Sequence, residues 1–147
     1  MASYTQLYLH CVWATWDRIP LIVPGIESQL YAMVADKCKE LGCTPLAIGG
    51  TSDHVHVLVH FSPTITIAHL IGEIKGSSSH AMTHAVLPGI FFKWQGDYGA
   101  FTISKRSVSQ VGAYILNQKT HHADQTTQAE LERYTDFDSN PTNMADR

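Results

Sequence analysis

The stretch His54-Val55-His56-Val57-Leu58-Val59-His60-Phe61 constrains this chain more than any other. Valine at every second position predicts a strand, because successive side chains of an extended backbone point to opposite faces. Val55, Val57, Val59 and Phe61 form one wholly apolar face, which requires a covering layer of helices. His54, His56, Leu58 and His60 form the other. That face reads in two ways. Histidines tolerate water, so it can simply be hydrated. Alternatively His54 and His56, about 6.5–7 Å apart along the strand, can aim their ring nitrogens at one divalent cation.

The remaining elements follow from periodicity and breakers. Residues 4–15 alternate and are rich in aromatic and β-branched side chains, a strand. Pro20 and Pro24 break the loop that follows. Ile26, Leu30, Met33, Val34, Cys38 and Leu41 recur at helical spacing over 25–42, and Gly42 is a natural stop. A short strand over 43–50 and a turn at Thr51-Ser52-Asp53 lead into the histidine strand. A helix begins at 66, where Gly76 and three serines are expected to interrupt it before 82. The second half of the aromatic stretch 90–104 predicts a strand. Residues 107–124 predict a helix with Ser107 or Ser109 as its N-cap.

The order β-α-β-β-α-β-α predicts an α+β fold, a single antiparallel sheet with helices packed on it, of ferredoxin-like kind. One domain is expected over 1–123, followed by an acidic, loosely ordered tail over 124–147 with one short helix at 129–134. That tail holds six acids against two bases, which leaves residues 1–123 at +1 although the chain as a whole carries −3. Net charge therefore neither requires nor excludes a nucleic-acid partner. No apolar run approaches the roughly 18–20 residues that span a bilayer. The N-terminus lacks the basic and small-residue features of a signal peptide. Cys11, Cys38 and Cys43 are odd in number and show no CxxC spacing, which points to reduced thiols and a cytoplasmic location.

A second chemical feature lies in the last helix. At about 100° per residue, Gln110, Tyr114, Asn117, Gln118 and His121 share one polar arc, while Val108, Val111, Ile115 and His122 lie to one side. Tyr114 and Gln118, four apart, stack on one face. An ordinary amphipathic helix would look similar. Beside two histidines holding a cation, however, a tyrosine oxygen can attack a phosphodiester. The Gln118 carbonyl oxygen suits Mg²⁺, and the imidazoles also suit Mn²⁺.

The segments SDHVHVLV, EIKGSSSHAM, WQGDYGAF and YILNQKTHH, taken in order over roughly residues 4–122, resemble the single-tyrosine HUH transposases of small bacterial insertion sequences and their palindrome-associated relatives. The resemblance implies an RRM-like HUH-endonuclease fold with His54, His56 and Gln118 as ligands of Mg²⁺ or Mn²⁺. Tyr114 would be the nucleophile that cleaves single-stranded DNA and leaves a 5′-phosphotyrosine and a free 3′-OH. It implies imperfect DNA hairpins at element ends as substrates, and a homodimer whose tyrosine helices complete the active sites in trans. Under this reading Lys75, Ser77, Ser78, Lys93, Lys105 and Arg106 are expected to contact phosphates, and Trp94, with Phe92, Tyr98 and Phe101, to stack on bases.

The chain departs from the family at Thr15-Trp16-Asp17-Arg18, where relatives carry a more basic turn, and at His80, where an arginine is common. These departures and the acidic balance motivate an alternative, a catalytically inactive hairpin-binding or regulatory module of the same fold. A third reading, a nucleotide hydrolase of the histidine-triad type, fails because Leu58 stands where that motif needs its third histidine. His60 receives no ligand role.

Overall fold

The computed structural model describes residues 3–135. Four antiparallel strands form one sheet in the order β2-β3-β1-β4. They are β1 (Tyr8–Ala14), β2 (Thr44–Gly50), β3 (His54–His60) and β4 (Gly99–Ile103). Helix α1 (Pro24–Glu40) joins the first two strands, and α2 (Ile67–Ala81) joins the last two. This βαββαβ order is the ferredoxin-like arrangement expected from the sequence. Three further helices follow: α3 (Val108–Leu116), α4 (Gln118–Ala123) and α5 (Ala129–Glu132).

The main core lies between the sheet and the α1/α2 layer. Val55, Val57 and Val59 point into it, together with Leu9, Cys11 and Trp13 from β1, which pair with them across the ladder. Ile26, Leu30, Val34 and Cys38 supply the buried stripe of α1; Leu70, Ile71 and Ile74 supply that of α2. Pro24 starts α1 at a position that needs no amide hydrogen, and Gly42 ends it with φ +79°.

The opposite sheet face is buried around His54, His56 and Leu58. Leu58 packs there with Ala47, Val111 and Ile115, which seats α3 on β2 and β3. Gly49 makes this approach possible, since a Cβ at that position would stand 2.1 Å from the carbonyl oxygen of Ile115. His54 and His56 are consequently buried, with 2% and 0% exposure.

Helix α2 runs unbroken through Gly76 and the serines, and a π-helical turn over Met82–Val86 extends it. The hydroxyls of Ser77, Ser78 and Ser79 each bond the carbonyl three residues back, so the helix continues past them. The C-terminal helix expected over 107–124 bends at Asn117 (φ −104°, ψ 23°), which separates α3 from α4. Within the expected loose tail, α5 forms and packs back on the sheet; residues 136–147 of that tail lie outside the described residues. No helix among the described residues is long and apolar enough to cross a membrane.

Candidate active site

Strand β3 brings His54 and His56 to one face, and the α3–α4 bend turns Tyr114 and Gln118 toward them. The rings of His54 and His56 are 5.1 Å apart, and Tyr114 meets His56 edge-on at 6.1 Å. Gln118 Oε1 lies 3.1 Å from His54 Nε2. Tyr114 and Gln118 are themselves buried, at 4% and 1% exposure. The four residues singled out by spacing thus converge within one chain.

Four further residues join them, and three of the four left some trace in the sequence. Asp53 precedes His54 directly, and its carboxylate accepts from His54 Nδ1 at 2.8 Å. His10 on β1 places Nε2 2.8 Å from His56 Nδ1. Alternation on β1 put it on the histidine face, but the cross-strand register was needed to pair the two. His122, one turn after Gln118, lies 3.0 Å from Gln118 Oε1. Glu132 on α5 had no such signal. Its Oε2 is 2.6 Å from His56 Nε2, and its Oε1 accepts from the Tyr114 hydroxyl at 2.7 Å.

The protonation pattern fits a cation. A carboxylate only accepts, so His54 donates through Nδ1 to Asp53, which leaves Nε2 facing inward. Two further acceptors, Gln118 Oε1 and Glu132 Oε2 (3.6 Å), face that nitrogen. Acceptors converging in this way call for a proton or a metal ion between them. The ligand atoms of His54, His56 and Glu132 all lie within 4.8 Å of one another. Separations of about 3 Å are the edges of a polyhedron with metal–ligand bonds of about 2.1 Å. The Gln118 oxygen is held toward the cluster by His54 and His122.

Burial lowers the pKa of His56 and His122 and, with the neighbouring charge of His56, lowers His10 to about 3. Burial thus works against the charged form of these imidazoles, and the neutral form is the one that ligates metals. Burial alone would raise the Glu132 carboxyl, but the hydrogen bond and charge of His56, with the Tyr114 bond and the charge of His54, hold it at about 2. Burial, with the Glu132 bond and charge, pushes Tyr114 up to about 12. Its hydroxyl also accepts from the Gln128 amide at 2.9 Å.

Of the residues expected at the DNA, three are internal: Trp94, Phe92 and Ser78. Trp94 is 5% exposed and Ser78 1%, and the Trp94 Nε1 donates to Ser78 Oγ at 2.9 Å. Trp94 also packs edge-on against Trp13 and Phe92, so its aromatic surface serves the core and cannot stack on a base. Lys75 bonds the carbonyls of Gln95 and Asp97, holding the loop before β4, and Ser77 bonds Ile74 within its helix. Lys93 is exposed, with its ammonium 4.0 Å over the Trp16 ring. Lys105 and Arg106 are exposed on a single 3-10 turn before α3. Tyr98 is 37% exposed, whereas Phe101 is half-buried against His10.

The ferredoxin-like sheet thus carries two histidines, an amide and a tyrosine hydroxyl in one buried cluster, groups able to ligate a cation and to act as a nucleophile. Residues 3–118 match the family model of the IS200-like transposases, and the chain belongs to that family. It is a DNA transposase, of a family that cuts and recombines DNA. The ISDra2 transposase TnpA of Deinococcus radiodurans is 26% identical over 119 residues, covering 77% of this chain and 84% of that protein. A transposase candidate of the same organism, known from a crystal structure, superposes with a TM-score of 0.65 at 25% identity, over 80% of this chain and 95% of the other. A REP-associated tyrosine transposase bound to a REP hairpin shares the fold, with a TM-score of 0.63 at 15% identity over 83% and 74% of the two chains.

Proposed function

We propose that this protein cleaves and rejoins single-stranded DNA at hairpin-marked element ends, with Tyr114 as nucleophile and a divalent cation held by His54, His56 and Gln118. The observation that carries the reading is one shared carboxylate. Glu132 takes the Tyr114 hydroxyl on one oxygen at 2.7 Å and His56 Nε2 on the other at 2.6 Å, so nucleophile and cation donors occupy one site.

His54, His56 and Gln118 would hold Mg²⁺ or Mn²⁺, which would supply polarisation of the scissile phosphate. Tyr114 oxygen bonds phosphorus and gives up its proton; the bond to the 3′ oxygen breaks, and that oxygen leaves with a proton. The 5′-phosphotyrosine so formed conserves the bond energy, and a 3′-OH reverses the step on a new strand. Asp53 and His10 keep the two ligand imidazoles oriented throughout. Lys93, Lys105 and Arg106 are exposed cations that can meet the phosphate backbone. The catalytic domain spans 1–123, and the acidic tail beyond it contributes through the segment that carries Glu132. A homodimer in the cytoplasm with active sites completed in trans is part of this reading; within the single chain Tyr114 meets its own His56 edge-on.

The test uses a labelled single-stranded hairpin taken from the DNA flanking the gene. With Mg²⁺ or Mn²⁺ the protein is expected to form a covalent adduct, and Tyr114→Phe to form none. An adduct with the phenylalanine variant would remove Tyr114 from the mechanism. Binding without any adduct would favour the inactive hairpin-binding module instead.

A further inference from the structure

Glu132 lies outside the residues matched by the family model, 14 positions beyond Gln118. Its neighbours hold it in place on both sides. The Gln128 amide donates to the Tyr114 oxygen at 2.9 Å. The Arg133 carbonyl rests so close on β4 that a Cβ at Gly99 would stand 1.9 Å from it. The Tyr134 ring sits 5.5 Å from the Arg18 guanidinium, which in turn pairs with Asp53, the partner of His54. The side chain is 18% exposed. A carboxylate so placed is a built part of the site.

Charge says what it does there. The ligands His54, His56 and Gln118 bring no negative charge and leave a dication uncompensated. Glu132 supplies the anion, and two imidazoles with one carboxylate form a set that binds divalent transition metals while leaving positions open. We propose that Glu132 is the anionic ligand of the metal centre and, through its second oxygen, the positioning residue that aligns the Tyr114 hydroxyl with the cation. This inference rests on the metal-centre reading given above. It makes the C-terminal segment part of the catalytic apparatus, and it favours Mn²⁺ over Mg²⁺, since Mg²⁺ prefers an all-oxygen shell.

The full-length chain is titrated with Mn²⁺ while the free ion is followed by electron paramagnetic resonance, for wild type, Glu132→Gln, Glu132→Ala and His56→Ala. Circular dichroism checks that each is folded. Both Glu132 variants are expected to bind Mn²⁺ at least about tenfold more weakly. At saturating Mn²⁺, Glu132→Ala is expected to form the hairpin adduct at least about tenfold more slowly, and Glu132→Gln, which still accepts a hydrogen bond from Tyr114, to lose less. Wild-type Mn²⁺ affinity in both Glu132 variants overturns the proposal. So does faster adduct formation by Glu132→Ala, which would make the carboxylate an obstruction. If His56→Ala also binds Mn²⁺ as wild type does, the metal-centre reading itself fails; if only the Glu132 variants do, that reading stands and Glu132 has another role.

Discussion

At the scale of single residues, three histidines on one strand meet two different fates. His54 and His56 are buried toward Tyr114, while His60, at the far end of β3, bonds the Thr5 carbonyl through Nε2 at 3.0 Å and packs edge-on against Tyr8. Its work is to hold the N-terminal segment. His60→Ala is expected to cost about 1 kcal/mol of stability and to leave the adduct yield unchanged, whereas His56→Ala abolishes the adduct. Equal losses in a cleavage assay would show that the triplet is wrongly divided. His54, His56, Tyr114 and Gln118 were legible in the sequence because two short-range periods, 2 in a strand and 3.6 in a helix, place each pair on one face. Trp94 was not. An aromatic residue in a loop carries no period, and only the packed structure shows Trp13, Phe92 and Ser78 closing around it.

At the scale of elements, the site depends on how closely α3 lies on the sheet. The contact is made backbone to backbone at Gly49 and filled by Leu58, Ala47, Val111 and Ile115. Gly49→Ala would drive a methyl group into the Ile115 carbonyl, which α3 can relieve only by lifting away and carrying Tyr114 with it. Overpacking of this kind costs about 1–3 kcal/mol, so thermal melting should fall and adduct formation drop sharply. Gly112, on α3 itself, is the contrast. Its added Cβ would meet Leu58 at 3.7 Å and Ala47 at 3.9 Å, ordinary contacts, and the helix gains about 0.5–1 kcal/mol from alanine. If Gly49→Ala melts no lower than Gly112→Ala, the close approach is not what seats the helix. Element order was readable along the chain, but the continuity of α2 through its serines was not, because those hydroxyls bond back to their own helix.

At the scale of the molecule, acid stability reports whether the C-terminal segment is docked. The Glu132 carboxyl, ordinarily near 4.5, is held at about 2 in the fold. Its value is lower folded than unfolded, so its contribution is complete above about pH 4.5 and disappears as pH falls toward 2. In metal-free protein, urea midpoints measured at pH 6 and pH 3 are expected to lie closer together for Glu132→Gln than for wild type; an unchanged gap would mean that Glu132 is not paired in solution. The sequence by itself determined the ferredoxin-like strand and helix order, the apolar face of β3, and the facing of His54 with His56 and of Tyr114 with Gln118. Each of these follows from the local geometry of one element. Only the tertiary structure decided that His54 and His56 are buried, that His10 and Asp53 orient the two imidazoles, and that Glu132 closes the site from the tail. Those contacts join residues far apart along the chain or set ring orientation, and they exist because burying Leu58 under α3 brings the end of the chain back over the sheet.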